Sequence, residues 1–275
     1  MELRIENGKL RISGGTSAPD YIRNCDMIKY FDGGMGTMLH LKAGELPEQL
    51  NISDPERVFN IHLAYAKAGA DIITTNTFGA NPLKYENYEE LIRAGVALAK
   101  KAGKKVALDI GPTGKLLKPM GSLDFEDCLD SFAKVVNAGK DGADLVLIET
   151  MGDTYEIKAA VLAAKENCSL PIFVSMIFDE NARLLTGADV KTACAMLEGL
   201  GVDVIGFNCG LGPKQMIPLV RELRKCCSIP IMVSPNAGLP EVINGKTVYN
   251  VAPEEFAQYM EEIAKLGVSY LGGCC

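Results

Sequence analysis

From Lys29 onward, short apolar runs alternate with stretches whose apolar residues recur at helical spacing. Such alternation predicts a parallel sheet with helical crossovers. Eight strands are expected, near residues 30–31, 72–75, 106–110, 145–148, 172–176, 204–207, 231–233 and 268–271. Between them Val58, Ile61, Tyr65 and Ala68 fall on one helix face, as do Phe125, Cys128, Phe132 and Val135, and Phe256, Tyr259, Ile263 and Leu266. Ser53-Asp54-Pro55 supplies a cap and then a proline at the first helical position.

An internal repeat marks the even-numbered strands. Gly69-Ala70-Asp71, Gly142-Ala143-Asp144, Gly201-Val202-Asp203 and Gly267-Val268-Ser269 each stand just before one, with the glycine placed for a left-handed helix C-cap. Two odd strands are introduced by proline, at Leu170-Pro171 and Ile229-Pro230. Eight alternating units over residues 29–275 predict an α/β fold, a (β/α)8 TIM-type barrel. A doubly wound open sheet is the alternative, but it rarely gives eight such even units.

Residues 1–28 read as an N-terminal extension. Leu3-Arg4-Ile5 and Leu10-Arg11-Ile12 alternate around Asn7-Gly8, a hairpin turn signal. A barrel of this kind ends in an eighth helix, and none follows the last predicted strand, so that helix is missing or replaced. The extension packing on the barrel is the favoured cover for the gap; a neighbouring chain, or a longer parent sequence, is the alternative.

Composition narrows the class. Hydrophobic content of 48% and charged content of 23% are those of an ordinary globular domain. The net charge of −7 argues against a nucleic-acid partner. No apolar run reaches the roughly 18–20 residues of a membrane span, and the first residues carry no signal-peptide pattern. The expected location is the cytoplasm. Nine cysteines then favour free thiols or a metal over disulfides. With only two histidines, His40 and His62, most histidine-based schemes are excluded.

Barrel sites lie where the strands end at their C-terminal side. Those ends read Asp32, Asn76, Asp109, Glu149, Ser175, Cys209, Asn236 and then Cys274 with Cys275. The same topology puts Cys226 and Cys227 on the opposite, stability face. Cys128 and Cys194 fall on apolar helix faces as core residues; Cys168 and Cys25 have no evident partner. Cys209, Cys274 and Cys275 end strands six and eight, close enough to converge on one ion. Soft thiolates suit zinc, and a catalytic zinc keeps three protein ligands and one open position. The competing reading is three buried thiols that only pack. Three thiolates and Zn²⁺ sum to −1, a centre poor at polarising carbonyls but able to deprotonate a bound thiol. That points to alkyl transfer to sulfur. Asp32-Gly33-Gly34-Met35-Gly36-Thr37 lacks the spacing of a phosphate loop. Its amides could cradle a carboxylate, with Asp32 and Glu149 for an ammonium. Together these features suggest an amino-acid thiol substrate.

These residues carry a resemblance. Asp32-Gly33-Gly34-Met35-Gly36-Thr37, Thr75-Asn76-Thr77-Phe78, Ile148-Glu149-Thr150, Gly206-Phe207-Asn208-Cys209-Gly210 and Gly272-Gly273-Cys274-Cys275 together resemble the homocysteine S-methyltransferase family, from about residue 29 to the end. Pro235-Asn236-Ala237-Gly238-Leu239-Pro240 looks like the homocysteine-binding module of cobalamin-dependent methionine synthases. The resemblance implies a zinc-bearing barrel that methylates homocysteine to methionine. It implies Cys209, Cys274 and Cys275 as zinc ligands, Asp32 and Glu149 on the substrate amine, and the backbone of Gly33, Gly34, Met35, Gly36 and Thr37 along the substrate. Asn76 lies among the substrate-binding residues, and Asn236 approaches the zinc when substrate is absent. The implied methyl donor is methylcobalamin on a separate corrinoid protein or cobalamin domain. S-methylmethionine or betaine is the alternative donor; the absence of tryptophan weighs against betaine. A zinc-free binding or structural barrel is the non-enzymatic alternative. Relatives continue past the paired cysteines, so a ligand at Cys275 is expected to be less rigid.

Overall fold

The computed structural model describes residues 2–6, 9–13, 28–243 and 246–275. Cys25 lies outside them. Strands β1 (Glu2–Glu6) and β2 (Lys9–Ser13) pair antiparallel with Glu6 opposite Lys9, as the Asn7-Gly8 signal predicts.

The barrel strands are β3 (Lys29–Tyr30), β4 (Ile72–Thr74), β5 (Lys105–Ile110), β6 (Leu145–Met151), β7 (Ile172–Met176), β8 (Val204–Asn208) and β9 (Ile231–Ser234). After a small hairpin, β10 (Glu241–Ile243) with β11 (Lys246–Val248), comes the last barrel strand, β12 (Tyr270–Leu271). They form an 8-stranded parallel sheet in the order β3-β12-β9-β8-β7-β6-β5-β4. The remaining seam is closed by a parallel bridge between Phe31 and Ile72, with Asp71 N donating to Tyr30 O at 2.8 Å and Asp32 N to Ile72 O at 3.1 Å. A ring bonded on every side excludes the open sheet.

Two short helices, α1 (Met35–Leu39) and α2 (Leu50–Ser53), occupy the loop after β3. The crossover helices are α3 (Pro55–Ala68), α4 (Tyr88–Lys101), α5 (Phe125–Gly139), α6 (Thr154–Asn167), α7 (Val190–Gly199), α8 (Pro213–Cys226) and α9 (Pro253–Ala264). Asp54 caps α3, its side chain accepting from Arg57 N. Among the described residues no helix follows β12. A groove of about 420 Å³ lies between α3 and α9, lined by Tyr65, Ala68, Ala257, Met260 and Ala264. An eighth helix would pack there.

The repeat has a structural reason. Asp71, Asp144 and Asp203 each accept the amide of the preceding odd strand: Tyr30 N at 3.0 Å, Val106 N at 2.8 Å and Ile172 N at 2.8 Å. They pin neighbouring strands together at the bottom of the ring. Gly69, Gly201 and Gly267 have the left-handed conformation expected of C-caps. Gly142 does not: it ends a 3₁₀ turn, and a Cβ there would strike Val96.

Successive inward positions of each strand lie two residues apart, and they change character with height. Ala107 precedes Asp109, Leu145 and Leu147 precede Glu149, Phe173 precedes Ser175, and Met232 precedes Ser234. The lower layers are therefore a packed apolar plug that includes Phe31, Phe173 and Tyr270, with ring centroids 4.8 to 6.1 Å apart. The upper layer is polar. A second, larger core fills the space between strands and helices.

Candidate active site

The last four residues leave β12 and cross the top of the barrel between two loops. Gly272 N donates to Val233 O, Gly273 N to Asp32 O at 3.1 Å, and Cys274 N to Pro235 O at 2.9 Å. Cys275 is held at both ends of its backbone: its amide donates to Asn236 Oδ1 at 3.0 Å, and its carbonyl accepts from Ala237 N at 2.6 Å. The loop after β9 thus wraps Cys275. On the other side Gly34 lies so close that any Cβ would collide with the Cys274 carbonyl. Glycine is required there by close approach.

Cys209 reaches the same point by a strained backbone. It follows β8 with φ of 57°, a left-handed value uncommon outside glycine. Thr150, near the end of β6 where the register is irregular, has φ of 60°, an outlier for a β-branched residue. Asn208, fully buried, holds this arrangement. Its Oδ1 accepts from Thr150 N at 2.9 Å and Ser175 Oγ at 2.6 Å, while its Nδ2 faces Thr150 Oγ1 at 2.8 Å and Cys274 Sγ at 3.8 Å. The sulfurs of Cys209, Cys274 and Cys275 all lie within 4.8 Å of one another. Tetrahedral zinc with about 2.3 Å bonds to sulfur needs separations of about 3.8 Å. The donor set and spacing fit such an ion with small side-chain rotations. Hydrogen bonds from Cys209 and Cys274 hold the Cys275 thiol down, to about 3, and the same contacts push Cys274 up. The Tyr249 hydroxyl adds a further bond to Cys275.

Below and beside the sulfurs is a cavity of about 320 Å³. Asp32, Glu48, Asp109 and Glu149 line it, together with Met35, Thr37, Asn76, Phe78, Leu147 and Met232; no lysine, arginine or histidine does. Thr74 binds Asp32 through its amide at 2.9 Å and its hydroxyl at 2.6 Å. Burial nevertheless lifts Asp32 to about 7, and burial together with the Asp32 and Cys275 charges lifts Glu149 to about 8. Asp109 is raised by burial and then by Glu149, Asp32 and Glu48, and its Oδ1 has no partner. Buried carboxylates without a counter-ion are costly, and their raised values record that cost. The cavity suits a small cationic group.

The profile of the homocysteine S-methyltransferase family matches residues 30–275. The chain belongs to that family. Among curated relatives, the methionine synthase of Mycobacterium leprae is 33% identical, matching 89% of this chain and 23% of that protein. The methionine synthase of Mycobacterium tuberculosis is 32% identical, matching 94% of this chain and 25% of that protein. The chain therefore spans about a quarter of the length of these relatives. Its fold is also that of the metallated homocysteine methyltransferase MmuM from Escherichia coli, with a TM-score of 0.77 at 23% identity, covering 90% of this chain and 91% of that one.

In this homocysteine S-methyltransferase family member, the structure gathers Asp32, Gly33, Gly34, Met35, Gly36, Thr37, Asn76, Glu149, Cys209, Cys274 and Cys275 around one cavity. Asn236 does not line it; its side chain is spent on the Cys275 amide. Asn76 lines it, but its Nδ2 is committed to Pro47 O and Asn51 Oδ1. Asn208 and Tyr249 were not singled out from sequence. An asparagine ending an apolar strand beside Cys209 was the available signal for the first; nothing local marks the second. Among the described residues every exposed large apolar side chain lies on the strand-to-helix side of the barrel. Phe78, Leu116, Met120, Tyr155 and Leu185 are the main ones, and of these Phe78 lines the cavity itself.

Proposed function

We propose that this barrel binds homocysteine at its mouth and is the acceptor half of a methyl transfer that makes methionine. The observation carrying this reading is the convergence of three thiols and three unneutralised carboxylates on one small cavity, in a chain of this family. Cys209, Cys274 and Cys275 would hold zinc. Zinc so held supplies a Lewis acid that lets a substrate thiol lose its proton at neutral pH. Asp32 and Glu149 receive the substrate ammonium, with the unpartnered Asp109 Oδ1 beneath them. The backbone of residues 33–37 lies along the carboxylate end. Asn208 holds the Cys274 sulfur in register, and Phe78, Leu147 and Met232 exclude water from the reacting sulfur.

The donor in this reading is methylcobalamin on a corrinoid protein or domain, and the exposed apolar side chains on the strand-to-helix side support the docking of so large a partner. The reduced thiols the site requires belong to the cytoplasm. No helix among the described residues is long and apolar enough to cross a membrane. The second reading is a small donor such as S-methylmethionine or betaine. It is favoured by the 91% coverage of the E. coli homocysteine methyltransferase, a chain of similar length. The test supplies zinc-loaded protein and homocysteine with either methylcobalamin or S-methylmethionine and measures methionine. Product from methylcobalamin supports the first reading and product from S-methylmethionine alone the second. No product from either, with zinc bound, overturns both.

A further inference from the structure

We propose that Cys194, Cys227 and Glu198 form a second metal site, for a thiophilic divalent cation, between α7 and α8 on the face opposite the mouth. One sulfur each from Cys194 and Cys227 and one Glu198 oxygen lie within 4.8 Å of one another. Cys194 and Glu198 are four residues apart on α7, so they project from one face one turn apart. Cys227 follows the last turn of α8 and meets them from the neighbouring helix. Two ligands from one helix turn and a third from an adjacent element make a three-ligand set with one open position. Two thiolates and a carboxylate carry the same formal charge as the three thiolates at the mouth.

The surroundings are built for that geometry. Ser228 holds Glu198 Oε1 by its amide at 2.6 Å and its hydroxyl at 2.8 Å, fixing the carboxylate from outside as an outer-shell group does. Cys194 and Cys227 are buried, while Cys226 is exposed at the entrance. The sulfurs are therefore shielded and the fourth position is open to water or to the Cys226 thiol. A Cys194–Cys227 disulfide is the rival chemistry. It would make no use of the carboxylate oxygen that lies beside the two sulfurs.

Cadmium is the probe, titrated under reducing, chelator-free conditions into the full chain carrying Cys209→Ser and Cys274→Ser, which breaks the mouth site. Bound metal per chain is read by elemental analysis and by the thiolate-to-cadmium charge-transfer band. One cadmium per chain is expected. It is lost on adding Cys194→Ser or Cys227→Ser, kept with Cys226→Ser, and weakened at least about 10-fold by Glu198→Gln. Glu198→Gln leaves the apolar core intact and carries the test if a buried cysteine variant fails to fold. No cadmium in the mouth-broken chain overturns the proposal. So does cadmium that survives Cys194→Ser and disappears with Cys226→Ser, which would place the ion on the vicinal pair alone.

Discussion

Asp71, Asp144 and Asp203 at the bottom of the barrel and Asp32, Asp109 and Glu149 at the top are the same chemistry in opposite service. Each bottom carboxylate accepts a backbone amide from the preceding strand. Such charge-assisted bonds are among the stronger ones, and they spend the charge on holding the ring. At the top three carboxylates share one buried space with three thiols and no basic side chain. There the charge is left unspent, and the fold bears the strain. Stability placed at one end supports a site that is destabilised, and therefore receptive, at the other.

The largest expected effect breaks the top. Cys209→Ala removes one of three ligands and should cost methionine formation more than the roughly 10–100-fold of an outer-shell change. Zinc content should fall with it, as measured by elemental analysis beside the wild type. Retained activity without metal would end the zinc reading.

Next is the pH dependence of the metal-free, substrate-free chain. Asp32 and Glu149 stand at about 7 and about 8, above their unfolded values, and Asp109 is raised as well. Their contribution to stability is full below about pH 4 and is lost as pH rises through 7 to 8. The roughly 3-unit shift of Asp32 corresponds to about 4 kcal/mol at most. His62, buried without a partner and depressed to about 4, acts in the opposite sense, costing stability as pH falls below 6.5. Above pH 6.5 the histidine no longer contributes, but the Cys275 thiol, held down to about 3, adds stability as pH rises toward the ordinary thiol value near 8.5, so the acid cluster is read by difference. Between pH 6.5 and 8.5 the melting temperature of the wild type should fall, relative to that of Asp109→Asn, as pH rises. Parallel profiles for the two proteins would show that no charge accumulates there.

Asn208→Ala sharpens the contrast within the top. It removes the bonds to Thr150 and Ser175. Zinc affinity should weaken by about 10–100-fold with the ligands themselves intact. Unchanged affinity would reduce Asn208 to packing. The smallest effect is at the bottom. Asp144→Ala leaves Val106 N unpartnered and should destabilise by about 1–3 kcal/mol, measured by denaturant unfolding. Methyl transfer should be unaffected; a large loss of activity would mean the two ends are coupled.

The ring was legible in the sequence because short apolar runs, helical faces and the repeat before the even strands all pointed the same way. Cys209, Cys274 and Cys275 were legible because barrel topology alone brings the ends of β8 and β12 to one rim. What stayed hidden depends on where a side chain is committed in space. Asn236 is expected among the substrate residues and to approach the zinc when substrate is absent, and its commitment to the Cys275 amide has no signal in the sequence. Gly142 read as a left-handed cap, and Val96 instead demands a residue without a side chain. Cys194 read as core and Cys227 as inert. Each description is right for its own helix, and neither reveals that the packing of α7 on α8 sets them side by side.

β12 closes the ring between β9 and β3 with only two paired residues on each side, and it also delivers Cys274 and Cys275. Seam closure and assembly of the three thiols are thus one folding event. A sheet with β12 undocked offers only Cys209, so an ion that binds tightly only to all three sulfurs would act as a latch on this short joint. Chelation should then raise local opening at this seam first. Hydrogen exchange at Phe31, Gly272 and Gly273 would speed up well before the amides of β6 and β7 respond.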